Sequence, residues 1–373
     1  MPPGPDPPPP SCPIAWQPQP LAPVFWGRRE LTPAEGAPVP LRIFFPSLDG
    51  AVDTAPVLAG CGSYPLVVIA HGHCIGDPNH YRRWDLLGAQ LARGGYVVVA
   101  PELAGVAGGQ HPSAPDHPDL ATLAAVVEWA QADWEHADAV EPDRVVVVGH
   151  SFGALIGARF AASAGVTAFA GLSGVWQDWP SGPVPVTLLD IPTLLVWGGP
   201  LDFFTELSPA TWDELPPPKH RVVWAEGEHW DYLVNQDPPC SSGAGPCAGA
   251  GVATADLVTM FCGKYVPPEH AAYLTEAIPD TLMPPELELT PEQQFFAGGW
   301  LSGFGAIDDD ACAVEISQDP WPLVANRRTR ETHSRANPCA WVRLMAPSNK
   351  RFVRSRPAGF NWCDFCFPAL ADG

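Results

Sequence analysis

Residues 144–165, RVVVVGHSFGALIGARFAASAG, constrain this chain more than any other stretch. Val145, Val146, Val147 and Val148 form an unbroken apolar run, the pattern of a strand buried on both faces. An Ala/Gly-rich helical pattern begins at Phe152 and is expected to end at Gly165, just past its last turn. Between the two lies Gly149-His150-Ser151-Phe152-Gly153. A strand that turns straight into a helix lifts the side chain at the turn over the sheet edge, and Ser151 holds that position. The turn crowds the residues two before and two after the serine, and both are glycine. Gly153, Ala154, Gly157, Ala158 and Ala161 give the helix a small-residue side that can sit close to a sheet. Its N-terminus directs partial positive charge towards Ser151.

Strands and helices alternate on both sides of this unit. Strands are expected over 23–31, 39–45, 66–70 (LVVIA), 96–100 (YVVVA), 167–172, 193–198 and 220–225. Helices are expected over 79–94, 118–134 and 252–265, with a long loop over 101–117. The pattern is that of an α/β fold, a mostly parallel sheet with helices on both faces. Ligands on such sheets bind beyond the carboxyl ends of the strands. His73, Ser151, Asp202 and His229 each follow the carboxyl end of a different expected strand.

A chain of 373 residues with 46% hydrophobic residues can bury a large core. Four parts are expected: a disordered Pro-rich N-terminus (1–22), a catalytic domain (23–275), a C-terminal extension (276–321) and a loosely ordered basic tail (322–373). In the extension, Thr290-Pro-Glu-Gln293 reads as a helix start, for a docking helix or lid. The tail from 327 on holds nine Lys/Arg against three acids, although the whole chain carries a net charge of −21. A body this acidic disfavours nucleic acid and anionic membrane as partners. The N-terminus lacks the basic start and apolar core of a signal peptide, and no apolar run reaches spanning length, so a cytoplasmic protein is expected.

The ten cysteines form no dense framework: Cys240 and Cys247 bracket a small-residue loop, and Cys363 and Cys366 make a lone CxxC without two further ligands. His111, Asp116 and His117 resemble a metal cluster.

A serine hydroxyl needs a base to take its proton and an acid to orient that base. The base expected is His229, in a Gly-containing loop after the 220–225 strand; His220 lies at that strand's far end. The acid expected is Asp202, in Gly-Gly-Pro-Leu-Asp. Asp178 and Glu206 compete with it, and Asp190 precedes its strand and so sits at the wrong edge. An oxyanion hole would take one backbone N–H from Phe152 and one from His73, in the loop after LVVIA. Cys74 follows in that loop. It lacks an elbow and is assigned to substrate binding rather than to nucleophilic attack.

The His-Gly-His loop, the Gly-His-Ser-Phe-Gly turn, Gly-Gly-Pro-Leu-Asp and Gly-Glu-His together resemble the α/β-hydrolase superfamily. Within it they are similar to the branch of platelet-activating-factor acetylhydrolases, chlorophyllases and cutinase-like polyester hydrolases. The resemblance covers about 23–265 and implies an eight-stranded, mostly parallel sheet and an acyl-enzyme mechanism. It implies a serine carboxylic-ester hydrolase acting on a small or polymeric ester. Two alternatives stand beside it: a polyester or aryl-ester hydrolase, and a non-catalytic binding member of the fold. In the polyester hydrolases an aromatic residue after the strand following the elbow lines the acyl site. Trp176 falls at that place here, with Trp179 near it; the alternative is that both pack in the core. The resembled family uses no metal, which implies that His111, Asp116 and His117 are polar loop residues, and no metal or cofactor is expected.

Overall fold

A computed structural model of the chain describes residues 25–47, 52–57, 63–73, 79–110, 116–163, 165–176, 186, 189–197, 202, 209–224, 229–230, 250–268 and 286–289. The chain enters through β1 (Phe25–Leu31) and β2 (Leu41–Ser47), an antiparallel pair, and β2 then runs antiparallel to β4 (Val97–Pro101). The remaining pairings, among β3 (Tyr64–Ala70), β4, β5 (Val140–His150), β6 (Ala168–Leu172), β7 (Thr193–Trp197), β8 (Lys219–Trp224) and β9 (Glu286–Leu289), are all parallel. The order is β1-β2-β4-β3-β5-β6-β7-β8, eight strands as expected, with β9 added at the β8 edge. Every residue of β3, β4, β6 and β7 is buried, because helices cover both faces of a parallel sheet.

Topology assigns those faces. From β3 the chain passes through α1 (Asp85–Arg93) to β4 on one side. From β5 it passes through α4 (Phe152–Ser163) to β6 on the other. Right-handed crossovers in opposite directions put α1 and α4 on opposite faces. α3 (Pro118–Ala132) packs with α4, and α6 (Ala250–Tyr265) packs with α1. Tyr96 Oη donates to the carbonyl of Val266 at 3.0 Å, tying the start of β4 to the end of α6. The strand order reverses between β3 and β5, so the segments leaving their carboxyl ends diverge and open a crevice there. α4 reaches that crevice because its inner side is small: Ala154 and Ala158 are fully buried, and a Cβ on Gly157 would lie 2.9 Å from Val147 Cγ1.

Several elements differ from expectation. The helix expected over 79–94 is a 3-10 turn, His80–Trp84, followed by α1; the tighter turn buries His80, Tyr81 and Trp84. β5 begins at Val140, five residues before the valine run starts at Val145. Its pairing to β3 shifts between Tyr64 and Leu66, and the irregularity absorbs Glu141-Pro142-Asp143. A short α2 (Ala104–Ala107) lies within the expected loop 101–117, and α3 begins at Pro118, as expected. β9 shows that the sheet continues past residue 275, into the stretch assigned to an extension. Four alternating residues behind Pro284-Pro285 are too short a strand signal to stand out. The helix expected from Thr290 and the basic tail lie outside the described residues.

Gly88 on α1 lies against the fully buried ring of Phe44 on β2, where a Cβ would come within 2.5 Å of Cδ2 and Cε2. Alanine ordinarily favours a helix interior over glycine by about 1 kcal/mol. Overpacking a filled core costs about 1–3 kcal/mol and here exceeds that gain. Gly88→Ala is therefore expected to lower the urea midpoint; an unchanged or higher midpoint would show that α1 can shift off β2.

Candidate active site

Ser151 has φ 55°, a left-handed conformation that costs a non-glycine residue free energy and persists only where the surroundings enforce it. The enforcement is visible on both sides. Its N–H donates to Leu172 O on β6 at 3.0 Å, and its carbonyl accepts the N–H of Ala154 at 3.0 Å, starting α4. A Cβ on Gly149 would lie 2.5 Å from Ala154 Cα, and one on Gly153 would lie 2.2 Å from Ala70 O. Both flanking glycines are thus required by backbone contact. Ser151 itself is 3% exposed.

Asp202, after β7, and His229, after β8, meet: His229 Nδ1 donates to Asp202 Oδ1 at 3.0 Å, with both residues 1% exposed or less. That bond fixes the proton on Nδ1 and leaves Nε2 with the lone pair a base needs. The other carboxylate oxygen, Oδ2, accepts the hydroxyl of Ser173. A buried carboxylate needs such donors to stay ionised. Ser173 has φ 42° and donates its N–H to Val196 O at 2.6 Å, which holds it at the carboxyl end of β6.

His229 is joined to the Ser151 turn through His150. Its Nε2 donates to the His229 carbonyl at 2.8 Å, and the two ring centroids lie 4.8 Å apart. Trp230 lies edge-on to His229, with 4.8 Å between centroids, and also packs on His150 and His80. Burial, followed by the proximity of His229, pulls the His150 pKa down to about 3. Burial also holds His80 well below the ordinary imidazole range, and the nearby His71 adds to the effect. This packing keeps both rings neutral.

The loop after β3 closes on the same point. A Cβ on Gly72 would lie 2.6 Å from Ser151 Cβ. The His73 ring stacks on Phe152, with centroids 5.9 Å apart, and its Nδ1 donates to Val106 O at 2.7 Å. Asp119, buried on α3, accepts the N–H groups of Gly105 and Val106 at 3.0 and 2.7 Å and so fixes the segment that holds His73.

The structure therefore gathers Ser151, Phe152, His73, Asp202 and His229 at adjacent strand ends. Trp176 has a different setting. It is 2% exposed and packs edge-on to Phe169, and Cβ atoms built on Gly171 and Gly174 would lie 2.6 and 2.3 Å from its ring. The sheet layer accommodates its indole as core, the packing alternative to an acyl-site wall. Trp179, Cys74, His111, Asp178, Glu206, Cys240, Cys247, Cys363 and Cys366 lie outside the described residues. Asp190 is exposed ahead of β7. His220 pairs with Tyr265 Oη at 2.6 Å on α6. His117 caps α3, accepting the Asp119 N–H at 3.3 Å. Among the described residues no three His, Cys, Asp or Glu side chains are grouped as a metal site, and no helix is long and apolar enough to cross a membrane.

Sequence reading missed Ser173, His150 and His80. Ser173 was within reach, since it directly follows a strand, the rule that selects Asp202. His150 has no sequence signal beyond its place in the turn. His80 carries no local signal, because its partners are brought to it by the fold.

The model of the alpha/beta hydrolase family matches residues 67–288, more than half of the chain. No curated protein matches it.

The neutral histidines make acid stability testable. Unfolded, His150 titrates near the ordinary 6.5, whereas in the fold it titrates at about 3. Its contribution is fully present above pH 6.5 and is lost as pH falls from there towards 3. By pH 5 the loss from this ring alone is roughly 2 kcal/mol. The urea midpoint is expected to fall between pH 7.5 and pH 5. His150→Gln, which keeps a donor for His229 O, should lose less over that interval; equal losses would mean that His150 does not set the dependence.

Proposed function

The chain belongs to the alpha/beta hydrolase family, and from that premise we propose that it is a serine carboxylic-ester hydrolase. The observation that carries the reading is the buried His229–Asp202 hydrogen bond of 3.0 Å, coupled through His150 to a serine held at φ 55°. In this reading His229 Nε2 takes the hydroxyl proton as Ser151 Oγ attacks the ester carbonyl carbon. Negative charge gathers on the carbonyl oxygen, beside the N–H groups of Phe152 and His73. Collapse breaks the bond to the alkoxy group, which leaves with the proton from His229. Water repeats the sequence on the acyl-enzyme and releases the acid. Asp202 holds the imidazole in the required tautomer and stabilises the imidazolium, and Ser173 steadies Asp202.

Nothing in this chemistry calls for a metal or cofactor. Trp176 packs above Gly171 and Gly174, which adds no support to the aryl-ester reading, and a small or a polymeric ester remains the substrate class.

Ser151→Ala is expected to lower turnover of a short-chain p-nitrophenyl ester by at least about 10³-fold and to abolish fluorophosphonate labelling. Asp202→Asn, which alters the tautomer but not the packing, should cost about 10²–10⁴-fold in kcat. Equal rates for wild type and Ser151→Ala would refute the reading. Wild-type protein that neither labels nor turns over esters would favour a non-catalytic binding member.

A further inference from the structure

We propose that His80, together with His71, is a positioning residue that aims the His73 N–H at the oxyanion; the inference rests on the serine-hydrolase reading above. In a trans peptide the C=O and the following N–H point in opposite directions. Fixing the Gly72 carbonyl therefore fixes the His73 N–H. Two imidazoles do so: His71 Nδ1 and His80 Nδ1 each lie 2.9 Å from Gly72 O. A carbonyl oxygen has two lone pairs, and both are engaged.

The tautomers agree with donation. Leu103 N–H donates to His71 Nε2 at 2.9 Å, so that nitrogen is an acceptor and the proton of the neutral ring is on Nδ1. His80 Nε2 has no hydrogen-bond partner among the described residues, and the ring is 1% exposed. The proton of neutral His80 therefore belongs on Nδ1, where Gly72 O receives it. The two rings meet edge-on with centroids 5.2 Å apart, and Trp230 packs on His80 at 6.1 Å. Neither ring can swing away without opening the core.

The clamped peptide is beside the nucleophile, since Gly72 abuts Ser151. Were this peptide to rotate by half a turn, a carbonyl would face the place where negative charge develops. The other side of the unit is held too: the His73 ring is bonded to Val106 O and stacked on Phe152, which carries the second donor. His80 touches neither substrate nor the reacting atoms in this account. It acts through the Gly72 peptide.

The experiment compares His80→Leu with His80→Asn, whose Nδ2 takes the place of His Nδ1. The readout is kcat per fluorophosphonate-titrated site, with KM for the same ester. Removing one oxyanion donor costs about 10²–10³-fold, so loosening one is expected to cost His80→Leu about 10- to 100-fold in kcat. KM should stay within about 3-fold, as for an interaction made in the transition state. His80→Asn should recover most of the rate. A His80→Leu enzyme with wild-type kcat overturns the proposal, and so does an asparagine variant as slow as the leucine one. If the leucine variant does not fold, the structure of wild-type enzyme phosphonylated at Ser151 decides. The phosphoryl oxygen within 3.2 Å of His73 N, with Gly72 O still on His80, supports the proposal; any other orientation of that peptide overturns it. Wild type that does not label at all refutes the serine-hydrolase reading itself, and the positioning role falls with it.

Discussion

At Gly153 the first turn of α4 touches the carboxyl end of β3 backbone to backbone. A side chain there would collide with the carbonyls of Ala70 and His71, at 2.2 and 2.3 Å from its Cβ. This approach lets two separately generated parts of the site share one place. The elbow comes from β5 and α4, and the His-Gly-His segment comes from β3. The strand order already puts β3 beside β5, but neighbouring strands alone leave their loops several ångströms apart. Only a helix start without a Cβ brings the Phe152 peptide against that segment. The left-handed Ser151 follows from the same constraint, because a relaxed backbone there would carry α4 away from the sheet.

The second constraint is dryness. His71, His80, His150 and His229 are each 1% exposed or less, and their rings form a continuous packed set with Trp230. A carboxylate in such a place must have its donors supplied by the protein, and His229 and Ser173 supply them to Asp202. The other rings must be neutral, because a second buried cation would compete with the imidazolium that His229 becomes in the proposed reaction. His150 meets this requirement: it joins His229 to the Ser151 turn by donating to a backbone carbonyl, a bond that needs no charge.

What the sequence disclosed follows from the range of its signals. A valine run, a Gly-x-Ser-x-Gly turn and a small-residue helix are local, and the fold class and the elbow were legible from them. That Asp202 and His229 meet was legible because both follow strand ends, and a parallel sheet makes strand ends neighbours. His80 was not, since nothing in Asn79-His80-Tyr81 announces that a 3-10 turn will lay it on Gly72 O. Trp176 shows the opposite limit. Position after a strand leaves wall and core both open, and the indole packs above Gly171 and Gly174. The ninth strand was obscured by shortness, since four residues carry too little periodicity to outweigh two prolines.

The segment after β4 has a larger part in this arrangement than a covering loop would. Asp119, at the start of α3, accepts two consecutive N–H groups, those of Gly105 and Val106. Each bond orients the α2 turn, and the Val106 carbonyl at its centre then receives His73 Nδ1. The chain of contacts runs from a buried helix N-terminus through a short turn to the His73 ring, and on to Phe152 by stacking. Hydrogen bonds in series polarise one another, and a buried series rigidifies what it joins. One end of the His-Gly-His segment is therefore set by α3 and the other by His71 and His80. In the proposed reaction, a backbone donor aimed from both ends needs no rearrangement when charge develops, which is the condition for electrostatic preorganisation.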